Sequence, residues 1–335
     1  MVEISIIIPT LNRANTLRQT LDSIFRQPDL TNVEVIVVDN GSIDVTAELC
    51  RGFIDDQKLP LQYYYDAEPG LLTGRHLGAS VAKGKILCFI DDDVKLSTTW
   101  LDGVRDVFSD AAVQLATGPS VPNYEVTPPG WLQFFWKDVN GGKSCEWLSL
   151  IDLGDEKKEI HATSIWGLNF CIRKETFSTL GGFHPDNIPP QFQMFQGDGE
   201  TGLTLKASAL NYKSIYHPAI KVSHLISPER LQIEYFKQRA FYQGVCNSFT
   251  SLRNKNLAMI EDSNIIKLKK LLTPIKKSIA DLGKKKIPPE VKELIEMLKR
   301  EEQKGFQFHQ DAFQNNPKVK AWVLKEDYWD YKLPV

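Results

Sequence analysis

The sequence predicts an α/β fold in which a mostly parallel central sheet is flanked by helices, and two observations carry that expectation. Short β-branched runs, Ile4–Ile8 and Val33–Val38, end in turn-forming residues and read as strands buried on both faces. Between them Leu17, Leu21 and Ile24 recur at helical spacing. The strand-helix-strand order then repeats, as parallel pairing with crossover helices requires.

The first strand stops at Pro9, and Asn15 or Thr16 can cap the helix that follows. The second stops at Asp39-Asn40-Gly41-Ser42. A helix is expected over Thr46–Ile54, a strand over Leu61–Tyr65, a helix over Thr73–Ala82, and a strand over Ile86–Ile90 that runs straight into Asp91-Asp92-Asp93. Ligands of such sheets bind outside the carboxyl ends of the strands. Pro9–Arg13, Asp39–Ser42 and Asp91–Asp93 are therefore expected on one rim.

From Gly118 to Trp166 prolines and glycines interrupt the pattern around Trp131, Phe134, Phe135 and Trp136, so a long loop or lid is expected there. Regularity returns with Ile165–Ile172, a turn at Gly181-Gly182, a helix over Glu200–Ala209 and a short strand over Ile220–His224. Beyond Asn254 the apolar residues Ile265, Leu268, Leu272, Ile275, Ile279 and Leu282 step by three and four among lysines. Pro289 then opens a helix carrying Val291, Leu294, Ile295 and Leu298 that Gly305 can stop. The expected organisation is a body over 1–245, in two halves over about 1–118 and about 119–245, followed by a helical extension over 246–335.

Composition narrows the function. Among 335 residues, 40 basic and 42 acidic side chains leave a formal charge of −2, so no global field draws the chain to nucleic acid. No apolar run approaches the roughly 20 residues that span a bilayer. The first residues lack the pattern of a signal peptide, and a cytoplasmic location is expected. Five scattered cysteines without a CxxC pair read as reduced structural thiols. The basic segment Arg253–Lys286 has two readings, a solvated face of packed helices or a peripheral contact with the inner face of an anionic membrane.

Three adjacent carboxylates at a strand end repel one another unless a cation neutralises them, and Mg²⁺ or Mn²⁺ shared with substrate phosphates does so. A solvated acidic turn is the plainer reading of Asp91–Asp93 alone. Asp39 can accept a hydrogen bond from a ring N–H of uracil, thymine or guanine, or serve as a turn cap ahead of Ser42. Pro9-Thr10-Leu11-Asn12-Arg13 offers backbone N–H groups and a guanidinium to phosphate or base.

Taken together, ISIIIPTLNR (4–13), VVDNGS (37–42), RHLGASVAKG (75–84), FIDDD (89–93), GLNFCIRKETFSTLGGF (167–183), GDGETGLTL (197–205) and His224 resemble, in order and spacing, family 2 glycosyltransferases of the GT-A fold. The resemblance covers roughly residues 3–245. It implies an inverting enzyme that moves a sugar from a nucleoside-diphosphate sugar, a UDP-sugar by family frequency, to a hydroxyl of a carbohydrate, lipid-linked or other acceptor. It implies that Pro9, Thr10, Asn12, Arg13, Asp39, Arg75, Asp91 and Asp92 line the nucleotide-sugar site, with Asp39 on the base. Asp93 and His224 are implied for the Mn²⁺ or Mg²⁺ ion, and Trp166, Gly167 and Asn169 for the sugar- or acceptor-facing wall. His76 departs from the asparagine usual at its position. Aligning Leu203 and Leu205 with the family's apolar pair makes Asp198 the expected general base, with Glu200 as the alternative. A sugar nucleotidyltransferase and a glycan- or nucleotide-sugar-binding scaffold without catalysis are the competing functions.

Overall fold

The computed structural model describes residues 2–56, 60–257 and 287–334. Along the chain come β1 (Ile4–Thr10), α1 (Ala14–Phe25), β2 (Val33–Asp39), α2 (Thr46–Asp55), β3 (Leu61–Tyr65), α3 (Leu71–Val81), β4 (Ile86–Ile90), β5 (Val94–Leu96), α4 (Trp100–Phe108), β6 (Val113–Thr117) and β7 (Ser120–Tyr124). Next are β8 (Lys137–Val139), β9 (Gly142–Cys145), β10 (Leu150–Asp152), β11 (Lys158–Glu159), β12 (Asn169–Arg173), α5 (Lys174–Thr179), α6 (Thr201–Ala209), β13 (Lys213–Tyr216) and β14 (Val222–Ile226). The chain closes with α7 (Ile233–Leu257), α8 (Pro289–Asn315) and α9 (Pro317–Val323).

The main sheet has the order β11-β13-β6-β12-β4-β1-β2-β3. The half from β4 to β3 is parallel, since β1 pairs in parallel with β2 and β4, and β2 with β3. Beyond β4 the sheet is mixed, because β12 runs antiparallel to both β4 and β6. Alternation along β1 sends Ile7 to one core with Ile36, Val38, Phe89 and Phe177, and Ile6 and Ile8 to the other with Leu17, Leu21, Leu49 and Trp100. Strands covered on both faces explain the unbroken apolar runs. The start of α1 is capped from afar: Asp44 Oδ2 accepts the Ala14 N–H at 3.0 Å, in place of the expected Asn15 or Thr16.

Two expectations are corrected. The stretch from Gly118 to Trp166 is no free lid; β7, β8, β9 and β10 join β14 and β5 in a second sheet. Its aromatics are spent on packing: Trp131, Phe135 and Trp147 lie 4.9, 5.3 and 5.4 Å, centroid to centroid, from Phe236 at the start of α7. Gly305 does not stop α8 but sits inside it, where a Cβ would overlap the Phe241 carbonyl oxygen of α7. Gly244 plays the reciprocal part against Glu302, so the two glycines let the helices cross closely.

The boundary expected at 245 falls within α7, which carries the chain onward without a linker. The described part of the extension is tied to the body. Arg253 donates to the carbonyls of Val323, Lys325 and Glu326, and Trp322 Nε1 donates to Phe195 O at 2.9 Å. Most of the basic segment, over 258–286, lies outside the described residues. Among the described residues no helix is long and apolar enough to cross a membrane.

Candidate active site

The buried strand β4 delivers Asp91, Asp92 and Asp93 to its carboxyl end beside the end of β1. Thr10 Oγ1 donates to Asp92 Oδ2 at 2.7 Å, and Arg13 Nη1 lies 3.0 Å from both Asp92 Oδ1 and Asp93 Oδ2. Burial pushes the Asp92 carboxyl up to about 6 despite Arg13. Burial also presses Asp93 upward, but the groups around it, with the Arg230 and Arg13 guanidiniums against Oδ2, outweigh it and hold that carboxyl below its ordinary value.

Arg230, from the short turn Pro228–Leu231, sets the state of His224. Its Nη2 lies 2.9 Å from Asp93 Oδ2 and its Nη1 2.5 Å from His224 Nε2. A guanidinium only donates, so His224 Nε2 is the unprotonated nitrogen. Nδ1 then carries the hydrogen and donates to Leu148 O at 3.1 Å. His224 Nε2, its lone pair taken by Arg230, stands 3.4 Å from Asp93 Oδ1, a buried oxygen with no hydrogen-bond partner among the described residues.

An orphaned carboxylate oxygen beside an unprotonated imidazole nitrogen fits a divalent cation that would take the place of the guanidinium. Adjacent ligands about 2.1 Å from one octahedral ion stand about 3 Å apart. Among the described residues no group of three or more His, Cys, Asp or Glu side chains converges, so such an ion would draw its other ligands from substrate phosphates and water.

On the nucleotide side Asp39 ends β2, nearly fully buried, with both oxygens engaged. Oδ1 accepts the Ser42 N–H and Oδ2 accepts the Tyr63 hydroxyl, each at 2.7 Å. The turn cap and the candidate base reader are thus the same carboxylate. Asn12, at φ 54, latches the two rim loops, since its N–H donates to Ser42 Oγ and its Oδ1 accepts from Ile43. Pro9 lies buried within β1, and its ring packs where Gly74 leaves room for it. Its ring is spent on that packing.

Arg75 links the two halves. Its Nη2 lies 3.1 Å from Asp91 Oδ1 and its Nη1 3.9 Å from Glu200 Oε2, while Glu200 Oε1 accepts the Gly167 N–H at 3.1 Å. A Cβ at Gly167 would stand 2.5 Å from Arg75 Nη2, so any larger residue there would force the guanidinium to shift. Glu200 is partly open, with 22% of its side chain exposed. Burial raises its carboxyl, and Asp186 adds to this against the opposing pull of Arg75.

The structure separates the two carboxylates weighed as base. Asp198 is closed in, with His184 Nδ1 at 2.6 Å on Oδ1 and the Thr250 hydroxyl at 2.5 Å on Oδ2. Burial lowers His184; it also presses Asp198 upward, but His184 and Thr250 prevail and keep that carboxyl ionised. A neutral imidazole donating to this carboxylate fixes the segment that leads into α6, and the Thr250 hydroxyl ties the same carboxylate to α7.

Other expected residues are also placed in the core. Asn169 is buried, its Oδ1 accepting from Trp100 Nε1 and its Nδ2 donating to Ile220 O, which removes it from the sugar-facing wall. Trp166 is half-buried against the same core as Phe170. His76 accepts the Phe183 N–H on Nε2 and meets Tyr328 O through Nδ1, and burial lowers it to about 3. It anchors the C-terminal segment instead of assisting a nucleotide. Arg230 and Tyr63 were missed; an arginine six residues beyond His224 and a tyrosine in a strand next to that of Asp39 were the available hints.

The model of glycosyl transferase family 2 matches residues 5–181, more than half of the chain. The glycosyltransferase AglE of Haloferax volcanii is 28% identical over 185 residues, 54% of this chain and 55% of its own length. Validoxylamine A glucosyltransferase of Streptomyces hygroscopicus is 34% identical over 104 residues, 30% of this chain and 24% of its own. The chain thus spans about half, or less, of the length of these relatives. Among solved structures, a mannosyltransferase of Pyrobaculum calidifontis in complex with GDP-Man and Mn²⁺ superposes with a TM-score of 0.52 at 17% identity, over 98% of this chain and 83% of that one. GalNAc-T7 with UDP, GalNAc and Mn²⁺ gives 0.51 at 19%, over 68% of this chain and 43% of that one. These likenesses show the GT-A fold.

Proposed function

The chain belongs to glycosyl transferase family 2, and from that premise we propose that it transfers a sugar from a nucleoside-diphosphate sugar to an acceptor hydroxyl with inversion at the anomeric carbon. A UDP-sugar is the donor placed first, by family frequency, and Asp39 can accept from the ring N–H that uracil, like thymine and guanine, supplies. Thr10 and Arg13 hold the nucleotide between β1 and the acidic triplet, and Asp91 with Arg75 faces the sugar.

Asp93 and His224 would hold a divalent ion. When bound, that ion offsets charge on the nucleoside-diphosphate leaving group. Glu200, rather than Asp198, is the general base. Its raised carboxyl brings proton affinity nearer to neutral pH, and it takes the proton from the acceptor oxygen as that oxygen attacks C1 from the face opposite the diphosphate. The observation that supports this reading most is the chain Glu200–Arg75–Asp91, which ends two residues from Asp93.

A panel of nucleotide sugars tests the proposal. One donor is expected to bind and slowly release its nucleoside diphosphate in the presence of Mn²⁺, and to stop doing so with EDTA. Pyrophosphate formed from a nucleoside triphosphate and a sugar phosphate, or donor binding with no turnover on any acceptor, would contradict it.

A further inference from the structure

Arg230 touches both side chains that would hold the cation. Its Nη2 lies 2.9 Å from Asp93 Oδ2 and its Nη1 2.5 Å from His224 Nε2. Arg13 also reaches Asp93, but through a single nitrogen that it shares with Asp92, and it does not touch His224. Among the described residues Arg230 alone therefore bridges both side chains, and only 21% of its own side chain is exposed. Without that guanidinium, the shared nitrogen of Arg13 would be left to offset a buried Asp93 carboxylate beside the unprotonated nitrogen of His224, and a poorly compensated buried charge is costly.

Resting on the metal-dependent reading above, we propose that Arg230 is an exchangeable counter-charge. It closes the seat while the donor is absent, yields Asp93 and His224 to the divalent ion when a nucleoside diphosphate arrives, and then binds the diphosphate. The chemistry favours the exchange in that direction. A lone cation must displace a guanidinium already paired with Asp93, whereas a cation carried by a diphosphate gives the guanidinium two phosphate oxygens that match its planar fork. Arg230 stands on a four-residue turn just before α7, at the edge of the site rather than inside a strand, and its long side chain can reach a new partner without moving the sheet. The exchange couples ion and nucleotide: each binds better once the other is present.

Mn²⁺ binding followed by electron paramagnetic resonance, with and without UDP, tests this on the full chain and on Arg230→Met. The variant is expected to bind Mn²⁺ alone about tenfold more tightly than the wild type, and to bind UDP in the presence of Mn²⁺ about tenfold more weakly. These changes correspond to one charge-assisted contact made or lost. A residue that only supported the fold would weaken both. Arg230→Lys, which keeps the charge but reaches one ligand at a time, is expected to fall between the two and serves if the methionine variant does not fold. Unchanged or weaker Mn²⁺ binding to the variants, or unchanged UDP affinity, would overturn the exchange while leaving the metal site standing. Absence of Mn²⁺ binding to the wild type even with UDP would overturn the metal-dependent reading as well.

Discussion

Glu200 lies 3.9 Å from Arg75, and the same guanidinium holds Asp91 at 3.1 Å on its other side. This separates Glu200 from Asp198, whose oxygens are both taken by His184 and Thr250. Glu200→Gln is expected to keep donor affinity and lose about 10² to 10⁴ in transfer rate, the usual worth of a general base. Asp198→Asn is expected to lower the melting temperature while leaving the transfer rate of the folded fraction within a few-fold. Steady-state rates and donor titrations on both variants check this.

The pH dependence of transfer follows from Glu200. Its carboxyl is raised by burial, so the base becomes protonated, and the rate falls, at a higher pH than for an ordinary carboxylate. A rate profile whose acid limb lies at the ordinary glutamate value would contradict the assignment.

Gly167→Ala is expected to displace Arg75, since its Cβ would stand 2.5 Å from Nη2. Misplacement by about 1 Å near reacting groups costs on the order of 10²-fold. The loss should appear in kcat/KM with the melting temperature little changed.

His76 couples stability to pH. Its native pKa is lowered to about 3 from 6.5, so between those values the unfolded chain binds a proton that the native protein refuses, and stability falls as pH falls. His76→Gln keeps a donor for Tyr328 O and an acceptor for the Phe183 N–H without the titration. Between pH 6 and 4 the unfolding free energy of the wild type should fall by about 1.4 kcal/mol per pH unit more than that of the variant. Parallel slopes would contradict the buried neutral imidazole.

Gly305→Ala would drive a Cβ into the Phe241 carbonyl oxygen where α8 crosses α7. Overpacking of this kind costs about 1–3 kcal/mol, read as a lower urea midpoint.

The parallel half of the sheet was legible because strands buried on both faces write themselves as continuous β-branched runs, as Ile4–Ile8 and Val33–Val38 do. The second sheet was not, because its strands are short and broken by Pro122, Gly141 and Gly142, so local pattern suggested a loop. Asp39, Asp93 and His224 were singled out as candidates by motif order, and the structure brings the last two within 3.4 Å of each other. Arg230 was not, since its contact with Asp93 spans 137 residues and leaves no local pattern. Asp198 and Glu200 are two residues apart in a glycine-rich stretch, and only the three-dimensional partners His184 and Arg75 tell them apart. Asn169 shows the converse: a polar residue beside a candidate site, spent on the hydrogen bonds of a buried Trp100.

The most direct test of the central claim measures nucleoside-diphosphate release from the preferred nucleotide sugar, with Mn²⁺ and an acceptor, in the wild type, Asp93→Asn and Glu200→Gln. The account predicts release by the wild type, loss of both donor binding and release in Asp93→Asn, and retained binding with lost release in Glu200→Gln. Wild-type release that persists undiminished in both variants would contradict it.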